Sequence, residues 1–356
     1  MRSSTARRRA TIIDVASAAG VSRQTVSNVL NFPDRVRPRT RDRVLAEVDR
    51  LGYRPSTAAR GLRNQRAGAV GLELNLPTCG SDIGPLVLGA LTVRAPAHDV
   101  HLVPFGDAEV FPTVAAYRDM TRRHLVDAFL FADTHSGDPR PDWLLENEIP
   151  FAAFGRLYSH PELTCWADVD GHRGLELAVE HLVASGYGTV GYLGWPLHLE
   201  DPAVAEDRHR GWVDAATSLG VAGPSGVTDQ QLGPAVEAAD ALLDELGPGD
   251  AVACASDLIA LAVLYAAARR GLAVGRDLGV VGFDGSLVAR RHGLTTVVQP
   301  YEDLADHLLR TVHDQLLDGT VPVAGALLDP TLAPSSSTDR ESELTSYTPV
   351  PAPTRR

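Results

Sequence analysis

The clearest pattern of apolar and polar positions lies between Thr11 and Asn31, in the stretch TIIDVASAAGVSRQTVSNVLN. Its first half has apolar residues at three- and four-residue spacing, which predicts a helix that begins after Thr11 and ends at Gly20. Ser22 can cap a second helix, in which apolar residues return at the same spacing. The pattern therefore predicts two short helices packed across a tight turn. The apolar positions are Ile12, Val15, Ala16, Ala19, Val21, Val26, Val29 and Leu30.

The second of these helices leaves a set of polar side chains on its outer face. Arginine can bond guanine through two hydrogen bonds, and asparagine or glutamine can bond adenine, so this face can read base edges in a major groove. Spacing alone leaves open a helical hairpin with a solvated polar face. The polar residues are Arg23, Gln24, Thr25, Ser27 and Asn28.

A third helix is expected from about Arg39 to Leu51, with Gly52 as its stop. From Ala67 onward, strand-like runs alternate with helical runs, and this alternation is typical of an α/β domain built on parallel sheet. The apolar side of the third helix is predicted at Val44, Leu45, Val48 and Leu51. Strands are predicted at AVGLEL, DVHLVPF, DAFLFA, PFAAFG, TVGYLG, AVACAS and LGVVGFD, and helices at GLELAVEHLVASG, GWVDAATSLG and LIALAVLYAAARRG.

Charge is distributed unevenly along the 356 residues, whose formal net charge is -12. Residues 1–66 hold 15 Arg and 5 acidic residues, whereas the remainder holds 18 Arg and 40 acidic residues. A basic N-terminal part attracts DNA phosphates and an acidic body is repelled by them, so the asymmetry favours DNA reading over a plain hairpin. The length suggests two or three domains. With no apolar run of membrane-spanning length and no leader pattern, a cytoplasmic protein is expected.

Several classes of chemistry are disfavoured by the residues present. The chain contains no Lys, so a Walker A loop and a Schiff-base lysine are excluded. Cys79, Cys165 and Cys254 are far apart, and the twelve His show no metal-binding spacing. GYGTVG follows a helix and enters a strand, the reverse of a dinucleotide site. We expect no catalytic residues, no cofactor and no metal.

These stretches, together with VRPRTRDRV, LGYRPSTAARGL and VVGFDG, resemble the LacI/GalR family of bacterial transcription regulators over nearly the whole chain. The resemblance implies an all-α helix-turn-helix headpiece and an α/β, two-lobed, periplasmic-binding-protein-like (type I) effector domain. The chain would cross between the lobes near Ala167, Thr295 and Leu327. The implied parts are a basic disordered arm (1–10), the helix-turn-helix domain (11–54), a hinge helix or linker (55–66), an N-terminal lobe (67–167 with about 296–326), a C-terminal lobe (168–295 with about 327–338) and a disordered tail (339–356).

The stretch from Pro55 to Asn64 resembles the family's hinge helix. A helix of about ten residues that contains Gly61 is marginal alone, so its order would need a partner helix and DNA. The resemblance implies that Leu62 wedges into a minor-groove step and kinks the DNA, while the alternative is a linker with an incidental Leu. Arg37 stands near the place where the family usually has a Ser, and it could give a charged phosphate contact. The predicted DNA-binding residues are Thr11, Ser22, Arg23, Gln24, Thr25, Ser27, Asn28, Arg37 and Leu62.

Effector binding is implied for residues that match family positions. Arg208 stands three residues before Gly211 in EDRHRGW, and Asp284 ends a predicted strand in VVGFDG. Their alternatives are a surface salt bridge and an ordinary turn Asp. Carboxylate, amide and guanidinium groups around an aromatic ring suit a saccharide. Two departures are Ser256, where Asn or Asp is frequent, and Gly155, which replaces an acidic residue of some sugar-binding members. The predicted effector-binding residues are Asn75, Trp195, Arg208, Ser256, Asp284 and Gln299.

The resulting prediction is a homodimeric repressor of carbohydrate-utilisation genes that binds a pseudopalindromic double-stranded DNA operator. A small sugar between the lobes would alter hinge order and release the DNA. One alternative is a corepressor-dependent regulator that senses a purine-type ligand, and another is a sugar-binding module without DNA function. The Pro-rich end lacks a heptad pattern, so a dimer is expected instead of a tail-linked tetramer.

Overall fold

The computed structural model divides the chain into two compact units, Met1–Gly68 and Ala69–Arg356. None of the described helices has the length and apolar content that crossing a membrane requires. The hinge stretch from Pro55 to Asn64 and the residues Leu62 and Asn75 lie outside the described part of the chain. The structure describes residues 10–31, 35–53, 67–74, 83–106, 113–197, 203–341 and 343–344.

The first unit contains the three predicted helices, α1 (Ile12–Ala19), α2 (Arg23–Asn31) and α3 (Pro38–Leu51). Thr11 begins α1 with a reciprocal cap, because its hydroxyl accepts from Asp14 N at 3.3 Å while the Asp14 carboxylate accepts from Thr11 N at 2.7 Å. The backbone turns left-handed at the glycines that end α1 and α3, which confirms both predicted stops.

Apolar residues from all three helices form the core of the headpiece. Val15, Val26 and Val44 are completely buried there. The prediction for Leu45 is wrong, since this side chain is 40% exposed. Leu45 lies about 100° around α3 from Val44, so it falls outside the buried stripe.

The second unit contains two sheets, and each is the centre of one lobe. The N-lobe sheet has the order β12-β5-β4-β3-β1-β2, with every pairing parallel. Its strands are β1 (Val70–Glu73), β2 (Leu102–Phe105), β3 (Ala128–Phe131), β4 (Phe151–Phe154), β5 (Trp166–Val169) and β12 (Ala326–Leu328). The helices of the N lobe are α4 (Ile83–Arg94), α5 (Ala115–Arg122), α6 (Pro139–Glu146) and α12 (Tyr301–Asp318).

The C-lobe sheet has the order β13-β11-β10-β8-β6-β7, with β9 beside β10 and β14 beside β9. The central strands pair in parallel, whereas β13 and β14 pair antiparallel. Its strands are β6 (Val190–Gly194), β7 (Ala222–Val227), β8 (Asp250–Cys254), β9 (Val274–Gly275), β10 (Leu278–Asp284), β11 (Thr295–Val298), β13 (Thr331–Ala333) and β14 (Glu343–Leu344). Its helices are α7 (Gly171–Ala184), α8 (Ala203–Ser218), α9 (Leu232–Leu243), α10 (Asp257–Arg269) and α11 (Leu287–Arg291).

The chain passes between the two sheets three times, so each lobe is discontinuous. The predicted crossings near Ala167, Thr295 and Leu327 all fall inside strands, namely β5, β11 and β12. Each strand first completes its ladder and the chain crosses afterwards, because leaving the sheet earlier would strip ladder hydrogen bonds from buried backbone. The lobe boundaries therefore lie slightly later than the resemblance implied.

The polar stretch after Pro334 forms part of the C lobe, and the pairing of β14 with β9 corrects the prediction that the chain is disordered from residue 339. Ser337 is completely buried, and its Oγ accepts from Thr295 N at 2.8 Å and donates to Val280 O at 2.6 Å. Further along, β14 pairs with β9. Composition suggested disorder because it does not reveal that hydroxyl groups can complete the edge of a sheet.

Candidate DNA-reading face and effector site

The outer face of α2 carries the polar side chains predicted to read DNA. Arg23 and Gln24 are exposed, and Ser27 and Asn28 are partly exposed. At 100° per residue these four positions share an arc of about 140° on the helix. The opposite side of α2 is buried against α1 and α3 through Val26 and its neighbours, so the polar arc is left for a partner.

Gln24 and Asn28 are already hydrogen bonded to each other on this face. Gln24 Nε2 donates to Asn28 Oδ1 at 2.9 Å. The bond fixes the two amides relative to each other and still leaves the Gln24 oxygen as an acceptor and Asn28 Nδ2 as a donor. An adenine edge offers one acceptor and one donor, so the paired amides have the complementary groups.

The remaining predicted DNA-binding residues in the described part have structural roles as well. Ser22 Oγ accepts from Thr25 N at 3.1 Å and lies 2.9 Å from Thr25 Oγ1, so it caps α2. Thr11 caps α1. Arg37 precedes α3 without a side-chain cap hydrogen bond, and Pro38 occupies the first helical turn. The exposed guanidinium of Arg37 is therefore not needed to hold the helix.

Most of the predicted effector residues converge at one edge of the C-lobe sheet. Trp195 follows β6, Ser256 follows β8, Asp284 ends β10 and Gln299 follows β11. These strands are parallel, so their carboxyl ends meet at the same edge. Arg208 on α8 joins the group, since its Nη1 lies 3.7 Å from Asp284 Oδ1.

Arg208 is buried and held on several sides. Its guanidinium carbon lies 3.7 Å from the centre of the Phe283 ring and 5.0 Å from the centre of the Trp195 ring. Nη1 also donates to Ala255 O. A planar cation with aromatic rings at these distances keeps one orientation, so its remaining donors have a fixed direction.

Two glycines allow α7 and α8 to approach closely enough to place Arg208. A Cβ on Gly211 would lie 2.2 Å from His172 O, which no side chain could tolerate without a backbone shift. A Cβ on Gly171 would lie 3.1 Å from Arg208 Cγ. Arg208 lies three residues before Gly211 on α8, so the close contact of α8 with α7 at Gly211 also fixes the position of the arginine.

Asp284 is completely buried and strained. Its Oδ1 accepts from Gln299 Nε2 at 2.8 Å, and its backbone oxygen accepts from Tyr301 Oη at 2.9 Å. Its φ is 127°, a value that residues other than glycine rarely adopt, and such strain is often found at functional sites. Burial raises the pKa of Asp284 to about 7, while the nearby Arg208 lowers it and Asp257 raises it.

Ser256 and Asp257 organise the same edge of the sheet. Ser256 is fully buried, and its Oγ accepts from Ile259 N at 3.3 Å as the cap of α10. The Asp257 carboxylate accepts from Ser286 N at 2.7 Å and from Thr296 Oγ1 at 2.6 Å. Ser256 therefore has a structural bond in addition to its predicted contact with an effector.

Several buried polar atoms near this edge have no hydrogen-bond partner within the described residues. Thr228 and Gln230 follow β7, and Thr228 N donates to Gly194 O at 2.8 Å, which places Thr228 beside Trp195. Unsatisfied buried polar atoms are rare because each costs about 1 to 3 kcal/mol. A group of them at one edge is suited to binding a polar ligand. The atoms are Tyr192 Oη, Trp195 Nε1, Arg208 Nε, Thr228 Oγ1 and Gln230 Oε1.

Sequence reasoning missed Thr228 and Gln230 because AGPSGV, the sequence of β7, has no apolar alternation that would predict a strand.

The departure from the family at Gly155 has a local structural cause. Its φ is 112°, and a Cβ there would lie 2.4 Å from Thr134 Oγ1. An acidic side chain at this position would therefore require the N lobe to rearrange.

Two family models match the chain. The model of bacterial regulatory proteins of the lacI family matches residues 11–56, and the model of periplasmic binding protein-like domains matches residues 179–338. Among curated relatives, the HTH-type transcriptional regulator CelR of Thermobifida fusca is 30% identical, over 91% of this chain and 96% of the relative. Catabolite control protein A of Priestia megaterium is 27% identical, over 87% of this chain and 94% of the relative.

Two solved structures are similar to the chain over most of its length. A complex of CelR with cellobiose has a TM-score of 0.64 at 27% identity and covers 92% of this chain and 100% of that one. A lac repressor dimer bound to operator and the anti-inducer ONPF has a TM-score of 0.71 and covers 93% of this chain and 100% of that one. At 24% identity, the second likeness concerns the fold alone.

Proposed function

Since the chain belongs to the LacI family of bacterial regulatory proteins and is a DNA-binding transcriptional regulator, we propose that it is a homodimeric repressor of carbohydrate-utilisation genes. A small sugar bound between the two lobes would release it from a pseudopalindromic operator.

Contact with the operator is assigned to the polar arc of α2. Arg23, Gln24 and Asn28 have the donors and acceptors that base edges require, and Arg37 has an exposed positive charge for phosphate. The excess of Arg over acidic residues in residues 1–66 supports the same role, because phosphate attraction supplies most of the nonspecific affinity.

The unsatisfied polar atoms around Arg208 carry the sugar assignment. A saccharide offers many hydroxyl groups, and each can donate and accept, so one molecule could satisfy an indole nitrogen, an amide oxygen and a guanidinium nitrogen together. Trp195 adds an aromatic ring on which the CH face of a sugar can stack. The complex of CelR with cellobiose is a precedent for a sugar in a related protein.

Release would follow from the position of the effector site beside a lobe crossing. Gln299 follows β11 and Tyr301 is the first residue of α12, where the chain passes back to the N lobe, and both bond Asp284. A ligand that draws Asp284 toward its hydroxyl groups would therefore act on the crossing. A change in how the lobes meet would in turn alter the separation of the two hinge segments in a dimer.

The proposal can be tested with the purified full-length protein. Genomic fragments that it retains would supply the operator, and the neighbouring genes would name the pathway. A gel shift on that operator with a panel of sugars, including cellobiose, should then show release by one of them. Arg208→Gln should bind the operator normally and lose the response. Tighter binding in the presence of a purine would refute the inducer assignment, and failure to select any fragment would refute the choice of α2 as a reading face.

A further inference from the structure

An ion pair joins the two lobes close to the effector site. Arg156 follows β4 of the N lobe, and Asp207 lies on α8 of the C lobe, directly before Arg208. Arg156 Nη1 lies 2.8 Å from Asp207 Oδ2, and the two side chains are 31% and 15% exposed. The Arg94–Asp306 pair, by contrast, joins two residues of one lobe.

Both partners of this pair have a second partner in their own lobe. Arg156 Nε lies 3.7 Å from Asp168 Oδ2 on β5. Asp207 Oδ1 accepts from Arg210 Nη2 at 2.6 Å, one turn further along α8. If the lobes separate, each charge keeps a neighbour of opposite sign, whereas separating an ordinary buried pair leaves an uncompensated charge. The contact can therefore break and form again at small cost.

The pair also lies beside the first lobe crossing. Gly171 is the first residue of α7 after that crossing, and a Cβ on it would lie 3.7 Å from Asp207 Cβ. A movement of α8 that withdraws Asp207 from Arg156 also displaces Arg208, since the two are adjacent in the helix. The state of the ion pair and the geometry of the effector site are thus mechanically linked.

We propose that Arg156 is a positioning residue of the effector site, which ties the lobes together through Asp207 in the closed protein and returns to Asp168 alone when they open. This inference rests on the effector site proposed above. Because the pair is partly exposed, salt screens it, and closure should weaken as ionic strength rises. The expected contribution is modest, a change of about two- to fivefold in the ratio of closed to open protein.

The distance between the lobes tests the proposal without any sugar. Spin labels would be attached through Arg118→Cys on α5 and Glu237→Cys on α9, which are exposed positions in different lobes. Cys165 and Cys254 are buried, and Cys79→Ser would be included throughout. Pulsed electron paramagnetic resonance on the full-length protein would give the distance distribution at roughly 0.05 M and 0.5 M KCl.

In the labelled parent, the closed population should fall as the salt concentration rises. Arg156→Gln should already show the smaller closed population at low salt and respond little to more salt. Arg156→Lys, which keeps the charge, should restore the parent behaviour. Arg210→Gln is the matched control, because it removes only the same-lobe partner that compensates Asp207 in the open protein, and it should therefore not reduce the closed population.

Identical distance distributions and salt responses in the parent and in Arg156→Gln would overturn the proposal. An equal change in Arg210→Gln would also overturn it, because the effect would then come from Asp207 or α8 in general. None of these readings involves a sugar or DNA, so a failure of the ion pair and a failure of the proposed sugar response are separate results.

Discussion

Replacing Arg208 by Met is expected to make Asp284 a source of pH-dependent instability in the C lobe. Met resembles the arginine stem in length and can retain apolar contact with Phe283 and Trp195. The substitution removes the hydrogen bond to Ala255 and the positive charge 3.7 Å from Asp284. The change in stability that depends on pH then comes mainly from the Asp284 carboxyl group, which is in contact with Arg208.

The sign and size follow from the pKa of Asp284, which burial raises from 3.8 to about 7 in the presence of Arg208. A carboxyl with a higher pKa in the folded protein binds more protons when folded, so stability falls as pH rises from the unfolded pKa and levels off above the folded one. Without Arg208 the pKa of Asp284 in the folded protein rises further, so stability continues to fall up to a higher pH. The variant should therefore lose up to about 1.4 kcal/mol per pH unit relative to the wild type above pH 7.

Urea unfolding at fixed ionic strength, followed by tryptophan fluorescence at several pH values, would measure this difference. Trp212 is buried in the same lobe and contributes to the signal. Below about pH 6 the difference between variant and wild type should be constant, because Asp284 is protonated in both. In an Asp284→Asn background the difference should depend much less on pH, and what remains would come from Asp168 and Tyr192, whose pKa values are raised by burial and lowered by Arg208. A constant difference from about pH 6 to 8 in the single variant would refute the reasoning.

Three further predictions concern the headpiece, the N lobe and the hinge. Asn28→Ala should relax base preference by about 1 to 3 kcal/mol while Arg7→Ala weakens all sequences alike, and equal losses for Asn28→Ala on operator and random DNA in competition gel shifts would contradict this. Hydrogen bonding to Arg94 lowers the pKa of Asp306 to about 2, so its stabilising effect is present above 3.8 and is lost as pH falls toward about 2. Asp306→Asn should flatten the acid limb of the urea-unfolding profile, and an unchanged limb would exclude this contribution. Leu62→Ala should reduce DNA bending and specific affinity together and spare nonspecific binding, whereas an unaltered bend angle would leave residues 55–64 as a linker.

Local signals made the headpiece and the buried strands predictable from the sequence. Thr11 with Asp14 three residues later, and Gly20 and Gly52 at helix ends, act within a few residues of themselves. Apart from the edge strand β2, the strands named from the sequence are apolar runs in the middle of the sheets, where burial on both faces requires such residues. The meeting of Arg208 with Asp284 was implied by the resemblance, and the geometry adds the stacking on Phe283.

Features that depend on distant partners were not predictable in the same way. β7 is an edge strand rich in Gly and Pro, so Thr228 and Gln230 after it gave no signal. Ser337 lies in a polar run, yet β10 and β11 bury it. The ion pair of Arg156 with Asp207 joins residues that are far apart in sequence, and no local pattern marks it. In each case the neighbour that gives the residue its environment is set by the tertiary fold.

The bonds of Gln299 and Tyr301 to Asp284 have a consequence for anyone who wishes to redesign the sensor. Because these two residues stand at a lobe crossing, a substitution at Asp284 would disturb recognition and switching together. Trp195 follows β6 and Gln230 follows β7, and neither has a hydrogen bond to a crossing residue within the described part of the chain. Libraries aimed at a new ligand should therefore vary these two positions and keep the residues at the crossing, so that variants which bind a different molecule still respond to it.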